Sequence, residues 1–380
     1  MRIKSLFKYF PLFLFLQTYS QNVTIRGKAH AWYAGKVISV SAFSDFITGQ
    51  RLKEAADTIA ADGFFELSVQ SDFIQPLSLQ VENITARLYV QPDFVYGITL
   101  PEPDESRMLN RDVELPVSIG IIGTDSTELN MLMFDFQKQY NRLFTSEDNR
   151  YISRASIFKR ADSLQKLCDQ RYAGINQPFF KNYIRYAIGS VNASVSRGEN
   201  YLINGYILGK PILYQHSEYM QFFKTCFKGY LHSVASHYKG QTLYHLISVK
   251  SDYRQLSAFL KQDPFLKNDS LRELVVISNL WDFYFSAEFD PDAVENMVGQ
   301  INEQTAITEH RHMTATMLAF FNKMQVGSPA PDFSARTRDG KMGSLGSLKG
   351  RFIYLNFFST KNTSSLKEMP KIAALEKKYG

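Results

Sequence analysis

Hydrophobic and polar residues follow two different periods along the chain, and the change of period divides it. From Gln21 to about Leu115, apolar residues recur at every second position, as in KVISVSAF and FFELSV, which is typical of half-buried β-strands. Asp62-Gly63 lies between two such runs and predicts a hairpin turn, because glycine accepts a positive φ. The pattern therefore predicts an antiparallel β-sandwich over residues 21 to 118.

From about Asp125 to Lys323 the hydrophobic period is 3.6 residues, which predicts amphipathic helices. Ser126 to Leu129 supplies residues suited to a helix start, and Ser270 to Glu273 fits the S-x-x-E capping box. We therefore predict an all-α domain over residues 119 to 325. The longest amphipathic segments are STELNMLMFDFQKQYNRLF, IFKRADSLQKLCDQRY, SEYMQFFKTCFKGYLHSV, SLRELVVISNLWDFYF and HMTATMLAFFNKM.

A third pattern begins at Val326, where a proline-rich stretch leads into a short strand and an Asp339-Gly340 turn. The continuous apolar run from Phe352 to Phe358 predicts a strand buried on both faces, as in the centre of a three-layer α/β sheet. A helix follows, which Pro370 is expected to kink. Residues 326 to 380 therefore predict the beginning of an α/β domain, and the whole chain is predicted to be multidomain.

The first twenty residues have the pattern of an export signal. Arg2, Lys4 and Lys8 precede an apolar stretch from Phe10 to Leu16, and Thr18-Tyr19-Ser20 offers a cleavage site before Gln21. No other run approaches the roughly 20 apolar residues of a spanning helix, so we expect no transmembrane segment in the mature chain. The expected location is outside the cytoplasm.

Charge and aromatic content exclude some functions. The formal net charge is +6, and three of those positive charges lie in the predicted signal, so the mature chain carries too little positive charge to predict nucleic-acid binding. The 30 Phe and 21 Tyr residues are expected to fill hydrophobic cores. No residue pattern predicts a cofactor.

Cysteine and histidine spacing suggests no catalytic or metal site. Cys168 and Cys226 lie in aromatic, helical contexts, and in an exported protein they could form one disulfide or remain buried thiols, of which the context favours thiols. His310 and His312 are two residues apart, so on a helix they point to different faces and do not make the i, i+4 pair of a zinc site. We predict no metal ligands.

Five short motifs follow one another in the C-terminal part: Gly327 to Phe333, Asp339 to Lys341, Ser347 to Gly350, Tyr354 to Phe358 and Glu368 to Pro370. These motifs resemble the TlpA-like branch of the thioredoxin superfamily, and the three-part organisation resembles multidomain envelope proteins of Bacteroidetes. The resemblance implies a thioredoxin-like domain, a family activity of thiol-disulfide exchange, a periplasmic or envelope location in a Gram-negative bacterium, and extended polypeptide or another envelope protein as partner.

The resemblance also locates the family's C-x-x-C pair, which lies between the buried strand and the first helix. The helix N-terminus lowers the pKa of the attacking thiol, and the second cysteine resolves the mixed disulfide. Counted back from Glu368 to Pro370, the two positions are Asn362 and Ser365. Neither side chain can form a disulfide, and no histidine lies in the segment to activate a serine.

The residues at this helix start are good cap residues, and Ser365 and Glu368 fit a second capping box. They therefore suggest a helix cap, with binding of a small anion or of a peptide backbone as the alternative. The residues concerned are Asn362, Thr363, Ser364, Ser365 and Glu368.

The sequence leaves two functions open. One is a non-catalytic binding or interaction protein; the other is an envelope thiol-disulfide oxidoreductase whose site is degenerate or incomplete, or which acts through Cys168 and Cys226. The family resemblance implies further elements of the thioredoxin fold, including its cis-proline loop, so we expect the native chain to continue beyond Gly380.

Overall fold

The computed structural model describes residues 22–103, 114–144, 153–195, 197–237, 242–323, 325–337, 339–350, 352–359 and 362–379. The predicted export signal and residues 104–113 of the predicted β-sandwich lie outside them. The chain divides into two compact units, residues 1–321 and 322–380. The predicted boundary between residues 325 and 326 lies just after this division.

The N-terminal part of the first unit is β-rich, as the period of two predicts. Its strands form two sheets, in the orders β4-β1-β7-β9 and β3-β2-β5-β6-β8. Residues from both sheets share one core, in which Ile25, Val40, Leu67 and Leu79 are at most 2% exposed. The strands are β1 (Asn22–Lys28), β2 (Val37–Phe43), β3 (Arg51–Thr58), β4 (Phe64–Gln70), β5 (Gln75–Val81), β6 (Ile84–Val90), β7 (Val95–Thr99), β8 (Leu115–Pro116) and β9 (Gly120–Ile122).

The sheets are mixed rather than purely antiparallel, which corrects the prediction. Strand β1 pairs with β7 in parallel, and β6 pairs with β8 in parallel. A parallel pair needs a long connection, and the chain between β1 and β7 supplies it by building strands of the other sheet. Strand β9 pairs with β7, so the four-stranded sheet continues past residue 118.

The predicted hairpin at Asp62-Gly63 is wrong, although the turn itself is present. Gly63 has a φ of +86°, but β3 and β4 belong to different sheets. The Ala29 amide at the end of β1 donates to the Gly63 carbonyl at 2.9 Å. This hydrogen bond fixes the turn beside β1, which is the strand that pairs with β4. The turn therefore connects β3 of the five-stranded sheet to β4 of the four-stranded sheet.

The remainder of the first unit is helical, as the 3.6-residue period predicts. A π-helical segment, His245–Lys250, interrupts the series between α6 and α7. The α-helices are α1 (Leu129–Phe144), α2 (Arg154–Arg171), α3 (Pro178–Ser194), α4 (Glu199–Tyr206), α5 (Ser217–Phe227), α6 (Tyr230–His237), α7 (Tyr253–Leu260), α8 (Asp269–Tyr284), α9 (Pro291–Gln304) and α10 (Thr308–Asn322).

Two local predictions in the helical part need correction. Helix α8 is capped by Asn268, whose Oδ1 accepts from the Leu271 amide at 2.8 Å, so Ser270 lies inside the first turn and does not cap it. The segment SEYMQFFKTCFKGYLHSV forms two helices because Gly229, with a φ of +66°, separates α5 from α6. Glycine adopts that conformation without a steric penalty.

The described residues of the second unit form a short antiparallel pair, a 3-10 helix (Leu345–Leu348) and an α-helix. Strand β10 (Ser334–Arg336) pairs with β11 (Met342–Ser344) around the predicted Asp339-Gly340 turn. Helix α11 (Thr363–Tyr379) runs through Pro370. Among the residues that the structure describes, no helix is long and apolar enough to cross a membrane.

The predicted buried strand from Phe352 to Phe358 is wrong. These residues are not assigned to a strand, and Tyr354 and Phe357 are 70% and 86% exposed. A central strand needs a hydrogen-bonded neighbour on each side and a layer on each face. The described residues of the second unit supply neither, so the apolar run is exposed.

Candidate functional site

The start of helix α11 is capped by Asn362. Its side-chain Oδ1 accepts from the backbone amides of Ser364 at 3.0 Å and Ser365 at 3.4 Å. Its carbonyl accepts the first helical hydrogen bond, from the Leu366 amide at 3.1 Å. Asparagine is among the best N-cap residues because its short side chain reaches these amides. The amides of Ser364, Ser365 and Leu366 are therefore already bound within the chain.

Ser365 and Glu368 take a different position from the one the capping box requires. The box needs Ser365 at the N-cap, and the helix begins two residues earlier, at Thr363. Thr363, Ser364 and Glu368 are exposed, and Ser365 is half-buried. The sequence has no histidine after His312, so no imidazole of this unit can activate the Ser365 hydroxyl. This helix start therefore holds neither a thiol nor an activated hydroxyl.

Cys168 is a free thiol inside the helical part of the first unit. It lies near the end of helix α2 and is 2% exposed, in a core that includes Leu164, Phe180 and Tyr172. Burial raises the pKa of the Cys168 thiol to about 12, and the carboxylates of Asp169 and Asp135 add to this effect. The thiol is therefore protonated near neutral pH, and a protonated thiol is a poor nucleophile.

Cys226 is also a free thiol, on helix α5. It packs half-buried against a different hydrophobic core, which contains Phe222, Phe223 and Phe227. Burial raises the pKa of this thiol to about 12 as well. The structure therefore contains two separate thiols with the properties of small core residues, in agreement with the alternative that the sequence context favours.

A buried polar chain joins helices α8 and α10, and the sequence reasoning missed it. The Glu273 carboxylate accepts from Thr305 Oγ1 at 2.5 Å, from Tyr253 Oη at 2.9 Å and from His310 Nδ1 at 2.7 Å. The other imidazole nitrogen of His310 lies 2.8 Å from Tyr214 Oη. His310 is fully buried.

This hydrogen-bonded series places a hydroxyl (Tyr214), an imidazole (His310) and a carboxylate (Glu273) in the order found in catalytic triads. The pKa shifts of its members nevertheless favour a structural role. Burial raises the pKa of Tyr214, so its hydroxyl stays protonated. Burial would raise the pKa of Glu273 as well, but the hydrogen bonds to His310, Thr305 and Tyr253 outweigh it and lower that pKa. The chain satisfies buried polar groups, as a core requires.

The two histidines of the Glu309 to His312 segment point to different surroundings. His310 lies in the polar chain just described, whereas His312 Nε2 lies 2.9 Å from Ser44 Oγ and 3.1 Å from the Ser44 carbonyl. Ser44 follows strand β2, so His312 joins helix α10 to the β-rich region. Within the described ranges no three His, Cys, Asp or Glu side chains are grouped so that they could hold a metal ion.

Short similarities connect the chain to thioredoxin-like proteins. It is 41% identical over 56 residues to the thioredoxin-like protein YneN of Bacillus subtilis (strain 168). It is 42% identical over 57 residues to the thiol-disulfide oxidoreductase ResA of Bacillus thuringiensis (strain Al Hakam) and to ResA of Bacillus anthracis. Each similarity covers 15% of this chain. A segment of the chain is therefore similar to the thioredoxin superfamily.

The extent of these similarities limits what they show. The chain spans about a third of the length of the curated relatives it matches, 33% in each case. No protein-family profile and no solved structure matches the chain. The similarities therefore support a thioredoxin-like segment that covers 15% of the chain.

Proposed function

We propose that this protein is a non-catalytic binding protein of the cell envelope, in which a thioredoxin-like segment contacts extended polypeptide or another envelope protein. The segment similar to YneN and ResA is, on this proposal, residues 326 to 380, because the motifs that resemble the TlpA-like branch lie there. The second unit, residues 322–380, has a length close to the 56 or 57 residues of those similarities.

The cap at Asn362 is the observation that carries the non-catalytic part of the proposal. Thiol-disulfide exchange needs a thiolate at the helix start, stabilised by the unpaired amides and the positive end of the helix dipole. Here the family resemblance aligns Asn362 with the attacking cysteine, and its Oδ1 occupies the amides of Ser364 and Ser365. An amide side chain in that place stabilises the helix and has no redox chemistry.

The exposed run from Phe352 to Phe358 supports the binding part. Phe352, Tyr354 and Phe357 are among its most exposed side chains, and the run belongs to no β-ladder of the described residues. An exposed apolar segment that belongs to no ladder could pair with a partner strand by β-augmentation. The export pattern in residues 1 to 20 supports a location outside the cytoplasm, and the resemblance to envelope proteins of Bacteroidetes supports the envelope of a Gram-negative bacterium.

The alternative is an envelope thiol-disulfide oxidoreductase, and the similarity to the thiol-disulfide oxidoreductase ResA favours it. Within residues 1 to 380 the cysteines that could serve this reaction are Cys168 and Cys226. Both thiols are free, lie in different cores and have a pKa of about 12. These properties oppose the exchange reaction.

One assay compares the two functions. The purified full chain is added to insulin with dithiothreitol, and turbidity is followed; we expect no acceleration over dithiothreitol alone. In parallel, a fluorescent, reduced and carboxymethylated polypeptide is titrated with the protein. Saturable binding that Phe357→Asp weakens is expected. Insulin reduction that disappears in a Cys168→Ser, Cys226→Ser variant would establish the oxidoreductase instead, and absent polypeptide binding would overturn the binding proposal.

A further inference from the structure

A groove lies between the outer face of the five-stranded sheet and helices α1, α3 and α5. It consists of two adjoining cavities of about 500 and 470 Å³. Phe43, Pro76, Arg87, Gln137 and Tyr183 line both cavities, which makes them one continuous groove. Volumes of this size are typical of sites for small molecules.

Strand β6 places Arg87 in this groove. Successive side chains of a strand point to opposite faces, and Ala86 and Leu88 lie in the core between the two sheets. The side chains of Arg87 and Tyr89 therefore extend from the opposite face of the sheet, toward the helices. Tyr89 is buried there, whereas Arg87 remains accessible to solvent. The alternation of the strand thus directs a cation into the groove.

Hydrogen bonds hold the wall beside Arg87 in place. The side chain of Asn130, on helix α1, exchanges two hydrogen bonds of 2.8 Å with the backbone of Tyr89. The Tyr89 hydroxyl donates to Glu218 Oε1 at 2.7 Å, and Ser217 Oγ donates to Glu218 Oε2 at 2.7 Å. Both oxygens of Glu218 are therefore engaged, and the strand and two helices are joined around the groove.

Arg87 carries its charge without a close ion pair. In the described part of the chain, no carboxylate oxygen lies within 4.0 Å of its guanidinium. The surrounding walls desolvate the group, which lowers its pKa, but Tyr89 and Glu218 outweigh that effect and raise the pKa. An arginine side chain stays charged in proteins, so Arg87 supplies a permanent cation to the lining of both cavities.

The other charged groups of the groove increase this positive character. Lys224 lines one cavity and donates to the carbonyls of Phe46 and Ile47 at 3.3 and 3.2 Å. Arg51 lines the other cavity, with its guanidinium 5.3 Å from the centre of the Phe43 ring. Glu218 is the one carboxylate among the described lining residues. Arg51 also forms an ion pair of 3.9 Å with Glu114, which lies beside the lining. The three cations exceed these two carboxylates by one, and this excess favours an anionic occupant.

Aromatic rings form the apolar part of the walls. Phe43 and Tyr183 line both cavities, and Phe46 and Tyr140 line one. Rings of this kind bury an apolar or aromatic body, whereas the guanidinium suits the two oxygens of a carboxylate. The two features lie in the same groove, so they suit two parts of one molecule.

We propose that this groove binds a small organic carboxylate with an aromatic or acyl body, and that Arg87 receives the carboxylate. The site is independent of the thioredoxin-like segment and of the polypeptide binding proposed above. A neutral sugar is the main alternative for an aromatic groove, but three lining cations have no counterpart in such a ligand.

The test uses two probes that differ only in charge, 4-phenylbutyrate and 4-phenylbutyramide. Each is titrated into the full chain by isothermal calorimetry at low ionic strength. We expect the carboxylate to bind about tenfold more tightly than the amide, because a hydrogen bond to a charged group is worth more than one to a neutral group. Equal affinity of the wild type for both probes, or no binding of the carboxylate at millimolar concentration, would overturn the proposal.

Three variants locate the effect. Arg87→Gln is expected to bind both probes equally, and Arg87→Lys to keep part of the preference because it retains charge without the fork. The matched control is Arg154→Gln, which removes the same charge from an exposed position of α2 that lines neither cavity. Thermal unfolding of each variant verifies the fold. A preference that survives in folded Arg87→Gln, or is lost in Arg154→Gln, would contradict the assignment.

Discussion

The two units of the chain differ in how far their aromatic side chains are buried. In the first unit Phe180, Phe222 and Phe223 are fully buried, whereas Phe357 of the second unit is 86% exposed. Both sets come from strongly apolar stretches of sequence. An apolar pattern therefore shows that a segment has a face suited to burial. Whether that face is buried depends on whether another element packs against it.

The elements available in each unit explain this contrast. The first unit has two sheets and a series of helices, and residues from these elements form three hydrophobic cores. The second unit offers, in its described residues, the β10–β11 pair and helix α11. An isolated two-stranded pair is at best marginally stable in water. We therefore expect the first unit to contribute most of the free energy of unfolding.

Removing one ring from each unit tests this comparison most strongly. Phe223→Ala deletes a fully buried ring and is expected to lower the free energy of unfolding by about 4 kcal/mol, because it leaves a cavity. Phe357→Ala removes an exposed ring and should change it by less than about 0.5 kcal/mol. Denaturant unfolding followed by near-ultraviolet circular dichroism measures both. Similar losses in the two variants would contradict the contrast.

The thiols of the first unit give the second test. With a pKa of about 12 for Cys168 and Cys226, the thiolate fraction at pH 8 is about a thousandfold smaller than for an ordinary cysteine. Alkylation by iodoacetamide should therefore be slower by about that factor in the folded protein than in guanidinium, as measured by mass spectrometry. Rapid labelling of Cys226 in the folded state would show an accessible thiolate and favour the redox alternative.

Glu273 gives a third, smaller effect in the first unit. Glu273→Ala removes the acceptor of three hydrogen bonds and leaves the buried His310 without its carboxylate. Leaving these buried donors without an acceptor is expected to cost about 3 kcal/mol. The measurement is denaturant unfolding at neutral pH, with Glu303→Ala at an exposed position of α9 as a surface control. Equal effects of the two substitutions would show that the hydrogen bonds of Glu273 contribute little to the free energy of unfolding.

The same carboxylate gives a pH dependence of known sign. Its pKa is lower in the folded protein than its ordinary value of 4.5, so the folded state holds the proton less tightly than the unfolded state. The stabilisation is therefore complete above about pH 4.5 and is lost as the pH falls through the lower folded value. Glu273→Gln should remove this component from the stability profile. An unchanged profile would mean that other carboxylates dominate.

The cap of helix α11 gives the smallest effect. Asn362→Ala removes the acceptor for the Ser364 and Ser365 amides and should cost about 1 kcal/mol. Hydrogen exchange at these amides should become about fivefold faster. Asn362→Asp should keep the protection, because a carboxylate also caps and complements the helix dipole. Faster exchange in Ser365→Ala but not in Asn362→Ala would assign the cap to Ser365 instead.

Sequence reasoning worked best where neighbouring residues decide the structure. The period of two predicted the β-rich region, the period of 3.6 predicted the helical region, and Asp339-Gly340 predicted the turn between β10 and β11. It failed at Ser270, because Asn268 two residues earlier caps the helix. It failed at Asp62-Gly63 because the identity of the next sheet is a long-range property.

The candidate sites likewise differ in whether the sequence alone reveals them. The absence of cysteine at Asn362 and Ser365 is visible in the sequence alone. The contact of Glu273 with His310 is not, since 37 residues separate them. Arg87 also gave no signal, because its strand reads as an ordinary alternating run. A groove between a sheet and helices is defined by residues that only packing brings together.

The sequence by itself determined the local periods, the turns and the lack of a redox pair at the start of α11. The tertiary structure decided which sheet each strand joins, that Cys168 and Cys226 lie in separate cores, and that Arg87 faces a groove. The physical reason is the distance along the sequence over which each interaction acts. Backbone preference and capping act over a few residues, whereas burial, desolvation and ion pairing depend on surfaces from distant segments, which no local pattern records.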